Sequence, residues 1–178
     1  MTVPASAVTL RLATLDDAPL LRHWDTQPHV IASDPDSDWC WETELPKNPD
    51  WRQQYIALHD ERPVGYLQIM DPREDPDQYW GAVDRAVLAI DIWIGEPDAL
   101  GQGIGTQMMH QALDRCFETP DIESVWIDPL LSNTEAHRFY QRLGFRVRET
   151  RWFDTDLCLV HTLGRDDWLA QRRPGDDA

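Results

Sequence analysis

The length, composition and charge of the chain set the first limits on its function. Its 178 residues are 42% hydrophobic and include nine Trp, which is enough for one folded domain with a sizeable core. Acidic residues outnumber basic ones by 32 to 16, so the net charge is −16. Nucleic acids and anionic membranes bind positive surfaces, and we expect neither as a partner. The acidic charge would attract a cationic partner, although such a charge also serves solubility alone.

Targeting segments and metal-binding patterns are not found in the sequence. The first residues, MTVPASAV, lack the basic flank and apolar run of a signal peptide. No stretch approaches the roughly 20 apolar residues of a membrane span. The three Cys are isolated and the six His are scattered, without the spacing of metal ligands. We therefore expect a cytoplasmic protein with reduced thiols and no metal.

The N-terminal half is predicted to contain a strand, a helix and a hairpin. Alternating apolar residues predict the strand, Thr14 caps the helix, and a tight turn at 60–63 joins the hairpin strands. These elements cover residues 8–12, 15–24, 55–59 and 64–71. Residues 27–50 are predicted to be irregular apart from a short helix near 37–44, and residues 71–84 form a polar loop.

The C-terminal half alternates strands with helices. Its strands are predicted at 85–95, 122–127, 145–152 and 156–163, and its first helix at 103–118. A second helix follows Ser132-Asn133-Thr134-Glu135, which has the form of a capping box, and ends at Gly144. Residues 172–178 are expected to fray. The central strand-helix-strand requires parallel neighbours. We predict a single α/β (α+β) domain, residues 1–178, with a mixed central sheet flanked by helices.

A glycine-rich loop, Leu100-Gly101-Gln102-Gly103-Ile104-Gly105, stands between a predicted strand and a predicted helix. Glycines let the backbone approach a ligand closely, and the start of a helix presents N–H groups to an anion. Backbone dipoles thus let an acidic protein hold a pyrophosphate. The loop lacks the ending of a Walker loop and the spacing of a dinucleotide fingerprint. From these residues alone, a phosphate cradle and a turn that serves only packing both remain open.

Further motifs surround this loop. They are Ile90-Asp91-Ile92-Trp93-Ile94, the loop with Thr106, Asp128-Pro129 with Ser132-Asn133, and Ala136, Tyr140 and Leu143-Gly144-Phe145. Together they resemble the GNAT superfamily of N-acetyltransferases, and within it the aminoglycoside 6′-N-acetyltransferases. The resemblance is strongest over residues 85–147. It implies a GNAT fold whose parallel central strands splay apart, acetyl-coenzyme A as acetyl donor, and resistance to aminoglycoside antibiotics.

The resemblance also implies which residues hold the acetyl donor. In the superfamily the loop normally begins with Arg or Gln, where this chain has Leu100. The departure removes one side-chain contact but keeps the backbone donors. The implied contacts are Ile92, Trp93, Ile94, Leu100, Gly101, Gln102, Gly103, Ile104, Gly105, Thr106, Asn133, Ala136 and Tyr140.

Three residues carry the chemistry that the resemblance implies. Acetyl transfer to an amine needs a base, a polarised thioester carbonyl and a proton for the departing thiolate. The resemblance implies Asp91 as the base, Tyr140 as the acid, and Asp128 as a carboxylate that holds amino groups of the acceptor. Each has a structural alternative: a hydrogen-bonded strand Asp, a core aromatic, and an Asp-Pro turn.

Four outer residues complete the expected acceptor site. Tyr79 and Trp80 occupy the place where related enzymes stack aromatic rings against sugars. Asp50, together with Asp154 or Asp156, would hold further ammonium groups.

Two other functions stay open at this stage. The acceptor is alternatively a protein N-terminus, a polyamine or a metabolite amine, because one scaffold hosts many acceptors. The chain is otherwise a non-catalytic module that only binds acetyl-coenzyme A. The sequence does not choose between a monomer and a homodimer.

Overall fold

The structure is a computed structural model that describes residues 7–37 and 39–172. Seven strands lie in these ranges: β1 (Val8–Leu12), β2 (Arg52–His59), β3 (Arg62–Met70), β4 (Val87–Ile94), β5 (Ser124–Ile127), β6 (Arg146–Phe153) and β7 (Asp156–Gly164). The same ranges contain the helices α1 (Ala18–Asp25), α2 (Pro28–Ser33), α3 (Trp41–Lys47), α4 (Ile104–Glu118), α5 (Thr134–Arg142) and α6 (Arg165–Arg172). Short 3-10 turns at Leu15–Asp17 and Pro97–Ala99 precede α1 and the glycine loop.

The strands are hydrogen-bonded in the order β1-β2-β3-β4-β5-β7-β6. β4 and β5 are parallel, with Val87–Ala89 opposite Ser124–Trp126. The pairs β1–β2, β2–β3, β5–β7 and β6–β7 are antiparallel. The predicted mixed α/β sheet with a parallel central pair is therefore confirmed.

Two compact units make up the chain. The first contains Met1–Met70 with Ile90–Ala112, and the second contains Asp71–Ala89 with Leu113–Ala178. β4 and α4 each contribute residues to both units. The assignment of residues 1–178 to a single domain stays a prediction.

A hairpin and a cluster of large side chains build the first unit. In the hairpin, His59 of β2 pairs with Arg62 of β3. Asp60 and Glu61 between them have φ of 52° and 64°, as a two-residue turn with positive φ at both central positions requires. The predicted hairpin is confirmed, with a shorter turn. The cluster consists of Ala18, Leu21, Trp24, Trp41, Leu45, Ile56 and Tyr66.

Residues 27–50 correct the prediction of an irregular segment. α2 begins at Pro28, since proline is suited to the first helical position. The second helix, α3, begins at Trp41 rather than near residue 37. Asp38, within the predicted helix, lies outside the described residues. Trp41 and Leu45 are both buried in the cluster. Burial of these two side chains stabilises a short helix that its Pro-containing sequence does not favour.

The second unit contains the antiparallel strands β5, β7 and β6 with helices α5 and α6. Asn133 caps α5, because its side chain accepts a hydrogen bond from Ala136 N at 3.1 Å. The cap is thus Asn133 and not Ser132, which corrects the predicted capping box. α6 was not predicted from the sequence. Arg172 ends this helix and pairs with Asp114 at 2.5 Å, while the rest of the tail, residues 173–178, lies outside the described residues.

Substitution of Gly95 by Ala is expected to destabilise the protein. A Cβ at Gly95 would overlap the indole of Trp24, which is fully buried and donates from Nε1 to Glu96 Oε1 at 2.8 Å. Overpacking of this kind costs about 1–3 kcal/mol. Urea denaturation should show that loss for Gly95→Ala. Gly164→Ala is the control, because the nearest atom to its Cβ is 3.9 Å away; equal losses in both variants would contradict the packing argument.

Candidate active site

The glycine loop forms an open cradle at the start of α4 in the first unit. Gly101 and Gly103 have φ of +71° and +76°, and a Cβ built on either would meet no atom within 4 Å. Gln107 N donates to Gly103 O at 3.2 Å, so the helical bonding begins directly after the loop. The first N–H groups of an α-helix have no acceptor within the helix, and the first turn of α4 contains no acidic residue. These features fit the diphosphate of coenzyme A.

The last residues of β4 lead into this loop. Ile92, Trp93 and Ile94 are half-buried. His29 Nε2 lies 2.8 Å from Ile94 O, so this carbonyl accepts a hydrogen bond from the imidazole. A Cβ on Gly65 would lie 2.7 Å from Trp93 O, which shows how closely β3 approaches this part of β4. These contacts position the end of β4 next to the glycine loop.

Asp91 lies half-buried on β4 and belongs to a hydrogen-bond network with β3 and β2. Gln68 Nε2 donates to Asp91 Oδ2. The Tyr66 hydroxyl lies 2.8 Å from Gln54 Oε1 and 3.3 Å from Gln68 Oε1. Because these amide oxygens only accept, the hydroxyl donates to them and leaves the Gln68 amide nitrogen directed at Asp91.

The environment of Asp91 changes its acidity. Burial and, to a smaller extent, the nearby charge of Asp34 together raise the pKa of Asp91 to about 6. The hydrogen bond from Gln68 and the charge of Arg52 oppose this shift. A carboxylate with a pKa close to neutral is suited to accept a proton as a general base.

Aromatic rings and a second carboxyl surround this network. Trp39 stacks on Trp41 with ring centroids 5.0 Å apart, and Trp93 stacks on Tyr66 at 4.4 Å. Trp41 Nε1 donates to Asp25 Oδ2 at 2.6 Å, and burial raises the pKa of Asp25. The first unit thus combines carboxylates with aromatic faces, which is a favourable setting for a cationic group.

Several members of the network were missed by the sequence analysis. They are Gln54, Gln68, Tyr66, Arg52 and Asp34. Gln54 and Gln68 are both buried. Gln68 lies within a mostly apolar stretch of β3, and that pattern was the available signal. Asp50, which the sequence analysis proposed, lies exposed in the turn before β2.

The second unit brings Asp128, Tyr79 and Trp80 together. Asp128 directly follows β5, and the Tyr79 hydroxyl donates to Asp128 Oδ2 at 2.7 Å. Tyr79 is 47% exposed and stacks on Phe153 at 4.6 Å. Trp80 is only 3% exposed, because Trp126 and Phe153 enclose it. Of the two aromatic residues, Tyr79 therefore offers the accessible ring.

Two further predicted residues lie elsewhere in the second unit. Asp154, in the β6–β7 turn, is exposed and has φ of 47°. It directly follows Phe153, on which Tyr79 stacks. Tyr140 lies on α5 and is 6% exposed. Its ring packs against Phe139, Phe145 and His161.

Comparison with known families assigns the chain. A family model described as an acetyltransferase (GNAT) domain matches residues 13–153. The chain belongs to this family of acetyltransferases. The family resemblance that the motifs around the glycine loop indicated is thus confirmed.

Relatives of this acetyltransferase include an aminoglycoside acetyltransferase and a lysine acyltransferase. It is 28% identical over 158 residues to aminoglycoside N(6′)-acetyltransferase type 1 of Klebsiella pneumoniae, covering 81% of this chain and 76% of that protein. It is 26% identical over 151 residues to the lysine N-acyltransferase MbtK of Mycolicibacterium paratuberculosis, covering 77% of this chain and 64% of that one.

Solved structures give the same picture. The acetyltransferase AAC(6′)-Ib in complex with coenzyme A and kanamycin superimposes with a TM-score of 0.84 at 26% identity, covering 94% of this chain and 100% of that chain. AAC(6′)-Ib with paromomycin and acetyl-coenzyme A gives a TM-score of 0.85 at 26% identity, covering 95% and 99%. The predicted GNAT fold is confirmed.

Within residues 7–37 and 39–172, no helix is long and apolar enough to cross a membrane. The same ranges contain no group of three or more His, Cys, Asp or Glu residues that could hold a metal ion.

Proposed function

We propose that this acetyltransferase transfers the acetyl group of acetyl-coenzyme A to the 6′ amine of aminoglycosides and so confers resistance to them. The observation that carries the proposal is Asp91. Its carboxylate lies on β4, the strand that precedes the open glycine cradle, and burial raises its pKa to about 6. Similarity to aminoglycoside 6′-N-acetyltransferases supports this acceptor.

Asp91 acts on the attacking amine. An aminoglycoside amine is mostly an ammonium at neutral pH, and it attacks the thioester only after losing a proton. The Asp91 carboxylate attracts the ammonium and accepts this proton. Gln68 donates a hydrogen bond to one carboxylate oxygen of Asp91. This bond orients the other oxygen, which takes up the proton, among the aromatic rings of Trp93 and Tyr66.

The remaining residues hold the donor and supply a proton. Acetyl-coenzyme A provides a thioester whose carbonyl the amine attacks. The cradle of Gly101 and Gly103 binds its diphosphate through backbone N–H groups, and the peptide groups of Ile92 and Ile94 align its pantetheine arm. Tyr140 donates its phenolic proton to the departing sulfur. The nitrogen releases its second proton to solvent as the amide forms, and a proton from solvent restores the Tyr140 hydroxyl.

Asp128 is proposed to bind another ammonium group of the acceptor, and its replacement by Asn should weaken acceptor binding. A partly desolvated pair at ~4 Å has a Coulomb energy of about 4 kcal/mol at an effective dielectric near 20, whereas an exposed pair contributes about 0–1 kcal/mol. Because Tyr79 covers one oxygen, we expect an intermediate effect. The KM for kanamycin should rise about 10-fold to 100-fold in Asp128→Asn, as measured by steady-state kinetics.

The matched control for Asp128→Asn is Asp121→Asn, an exposed carboxylate in the same unit. The control should leave both KM values unchanged. An unaltered KM for kanamycin in Asp128→Asn would show that Asp128 is only a turn residue.

The proposed function is tested by incubating the purified protein with acetyl-coenzyme A and kanamycin while free thiol is followed. Thiol release that depends on kanamycin supports the proposal. A panel of polyamines, peptides and free lysine should give much lower kcat/KM. Release of thiol with one of these acceptors but not with any aminoglycoside would overturn it.

A second acceptor class has a specific observation in its favour. The chain is similar to a lysine N-acyltransferase, and acylation of a lysine amine would use the same base and donor. Free lysine and lysine-containing metabolites therefore belong in the panel. The acidic net charge of −16 suits either acceptor, so kinetics must decide between them.

The domain organisation, location and partners of the enzyme belong to the same proposal. We propose a single catalytic domain that acts in the cytoplasm, where acetyl-coenzyme A is available. A cationic small molecule is the proposed partner, and neither nucleic acid nor a membrane is expected to bind. Sedimentation analysis would distinguish the monomer from the homodimer.

A further inference from the structure

Two buried histidines in the second unit form a hydrogen-bonded chain that ends on the loop after Asp128. His161 of β7 is fully buried, and its Nε2 lies 3.0 Å from His137 Nδ1 on α5. His137 Nε2 lies 3.0 Å from Leu131 O. Leu131 belongs to the connection between β5 and α5. The chain therefore links a strand, a helix and the loop between Asp128 and Asn133.

The direction of these hydrogen bonds follows from their last member. The Leu131 carbonyl only accepts, so His137 Nε2 must donate to it. In a neutral imidazole the other nitrogen is then an acceptor, and His161 Nε2 must donate to His137 Nδ1. Burial lowers the pKa of His161 to about 4 and keeps this imidazole neutral. With a neutral His137 beside it, each histidine carries its proton on Nε2.

Backbone hydrogen bonds already hold part of this loop to β7. Leu131 N donates to Leu157 O at 2.8 Å, and Leu159 N donates to Pro129 O at 2.9 Å. These bonds fix the loop to the strand but not to α5. At the cap of α5, Asn133 N donates to Leu130 O at 2.9 Å. The His137 bond to Leu131 O adds a second attachment to α5, one turn further along the helix.

His161 also contacts the residue proposed as the acid. The ring centroids of His161 and Tyr140 are 5.9 Å apart, and those of His161 and His137 are 5.2 Å apart. His137 and Tyr140 are three residues apart on α5, so both lie on the helix face that covers β7. The His161 imidazole therefore packs against Tyr140 and is hydrogen-bonded to His137, which in turn binds the loop.

The imidazole at position 161 has one nitrogen that contributes no hydrogen bond to stability. His161 Nδ1 has no hydrogen-bond partner within the described ranges, and a buried acceptor without a donor costs free energy. An apolar residue would avoid that cost but would leave His137 Nδ1 without its hydrogen-bond donor. A donor at His161 Nε2 is needed only for the hydrogen bond to His137 Nδ1.

We propose that His161 and His137 are positioning residues for acetyl transfer, which hold the loop of Asp128 against α5 and so fix Asp128 relative to Tyr140. This inference rests on the proposed function, because it assigns Asp128 to the acceptor and Tyr140 to the thiolate. Misplacement of reacting groups by about 1 Å can cost about 100-fold in rate. Neither histidine touches the substrates.

The kinetic test compares His161→Leu, His161→Gln and the double variant His137→Leu/His161→Leu. Loss of the donor in His161→Leu should raise the KM for kanamycin and lower kcat, with a loss of about 10-fold to 100-fold in kcat/KM. His161→Gln restores a donor to His137 Nδ1 and should recover most of the wild-type KM. The double variant removes the buried polar pair together and should unfold at a similar temperature to the wild type, yet show the raised KM.

A purely structural role predicts other results. It would lower only the folded fraction, hence kcat, and leave the KM for kanamycin unchanged in every variant. His59→Leu, which replaces a His at the end of β2 in the other unit, is the control and should match the wild type. An unchanged KM in a folded double variant, or no recovery in His161→Gln, would overturn the proposal.

A second measurement does not depend on turnover. Nitrogen-15 NMR of the imidazoles should show both His137 and His161 as neutral Nε2–H tautomers, and hydrogen exchange at the amides of Leu131 and Asn133 should accelerate in His161→Leu. A charged imidazolium, the Nδ1–H tautomer, or unchanged exchange would contradict the inference. If the wild type fails to acetylate any aminoglycoside while these signatures are present, the proposed function fails and the loop attachment stands.

Discussion

Asp91→Asn is expected to lower kcat/KM for the aminoglycoside by about 100-fold to 10,000-fold, the usual contribution of a general base. The amide keeps the shape of the side chain and still accepts a hydrogen bond from Gln68, which donates to Asp91 Oδ2 in the wild type. It cannot accept the proton of the attacking ammonium. The loss should therefore appear in the rate of acetyl transfer and not in folding.

The pH profile makes this prediction specific. A base works only when deprotonated, so kcat/KM of the wild type should rise with pH through a midpoint near 6, the value to which burial raises the pKa of Asp91. In Asp91→Asn this limb should be absent. Asp98→Asn is the control, since that carboxylate is exposed and pairs with Arg62 at 2.9 Å. Turnover near the wild-type value in Asp91→Asn would rule Asp91 out as the base.

The stability of the wild type relative to Asp91→Asn should depend on pH in a defined direction. Burial raises the folded-state pKa of Asp91 above its usual value. The stability associated with the protonated carboxyl is fully present below the unfolded-state pKa and is lost as pH rises through about 6. Relative to the variant, the wild type should lose stability over this window in urea denaturation at successive pH values.

Tyr140→Phe is expected to lower kcat by about 100-fold or more, because the departing thiolate loses its proton donor. The KM values for both substrates should change little. Phe keeps the ring, which packs between Phe145 and His161 in the wild type, and only the hydroxyl is removed.

The control for Tyr140→Phe is Tyr55→Phe, which removes a hydroxyl that donates to Gln53 Oε1 at 2.6 Å in the first unit. Single-turnover measurements with both variants separate the chemical step from product release. If Tyr140→Phe retains more than half of the wild-type rate of that step, Tyr140 serves only as a core aromatic.

Local sequence patterns predicted the central part of the fold well. β4, the glycine loop, α4, β5 and α5 all lie where the sequence analysis expected them, within two residues at most boundaries. Strand alternation, the helical spacing of apolar residues and the glycines are local signals. The family resemblance rests on this same stretch, and the family match includes it.

The elements that the sequence did not predict depend on tertiary packing. α3 is short and contains Pro46, and its stability comes from burial of Trp41 and Leu45 against α1 and the hairpin. α6 was missed because its apolar residues are few, yet Trp168 is buried. Such helices gain most of their stability from contacts that a propensity argument does not include.

The candidate site divides in the same way. Asp91 was predictable because it is a single charge within an apolar strand. Its partner Gln68 is 23 residues away in the chain, and only the pairing of strands brings the two together. His137 and His161 are 24 residues apart and carry no motif. Their hydrogen-bonded chain depends on how α5 packs on β7, and the sequence alone does not specify that packing.

The position of the acetyl group on the product tests the central proposal most directly. Kanamycin should be incubated with the protein and acetyl-coenzyme A, and the product analysed by mass spectrometry and NMR. A matched acceptor carries a hydroxyl instead of an amine at the 6′ carbon. The proposal predicts one acetyl group on the 6′ nitrogen and no turnover of the hydroxyl analogue. Acetylation at another amine, or equal turnover of both acceptors, would contradict it.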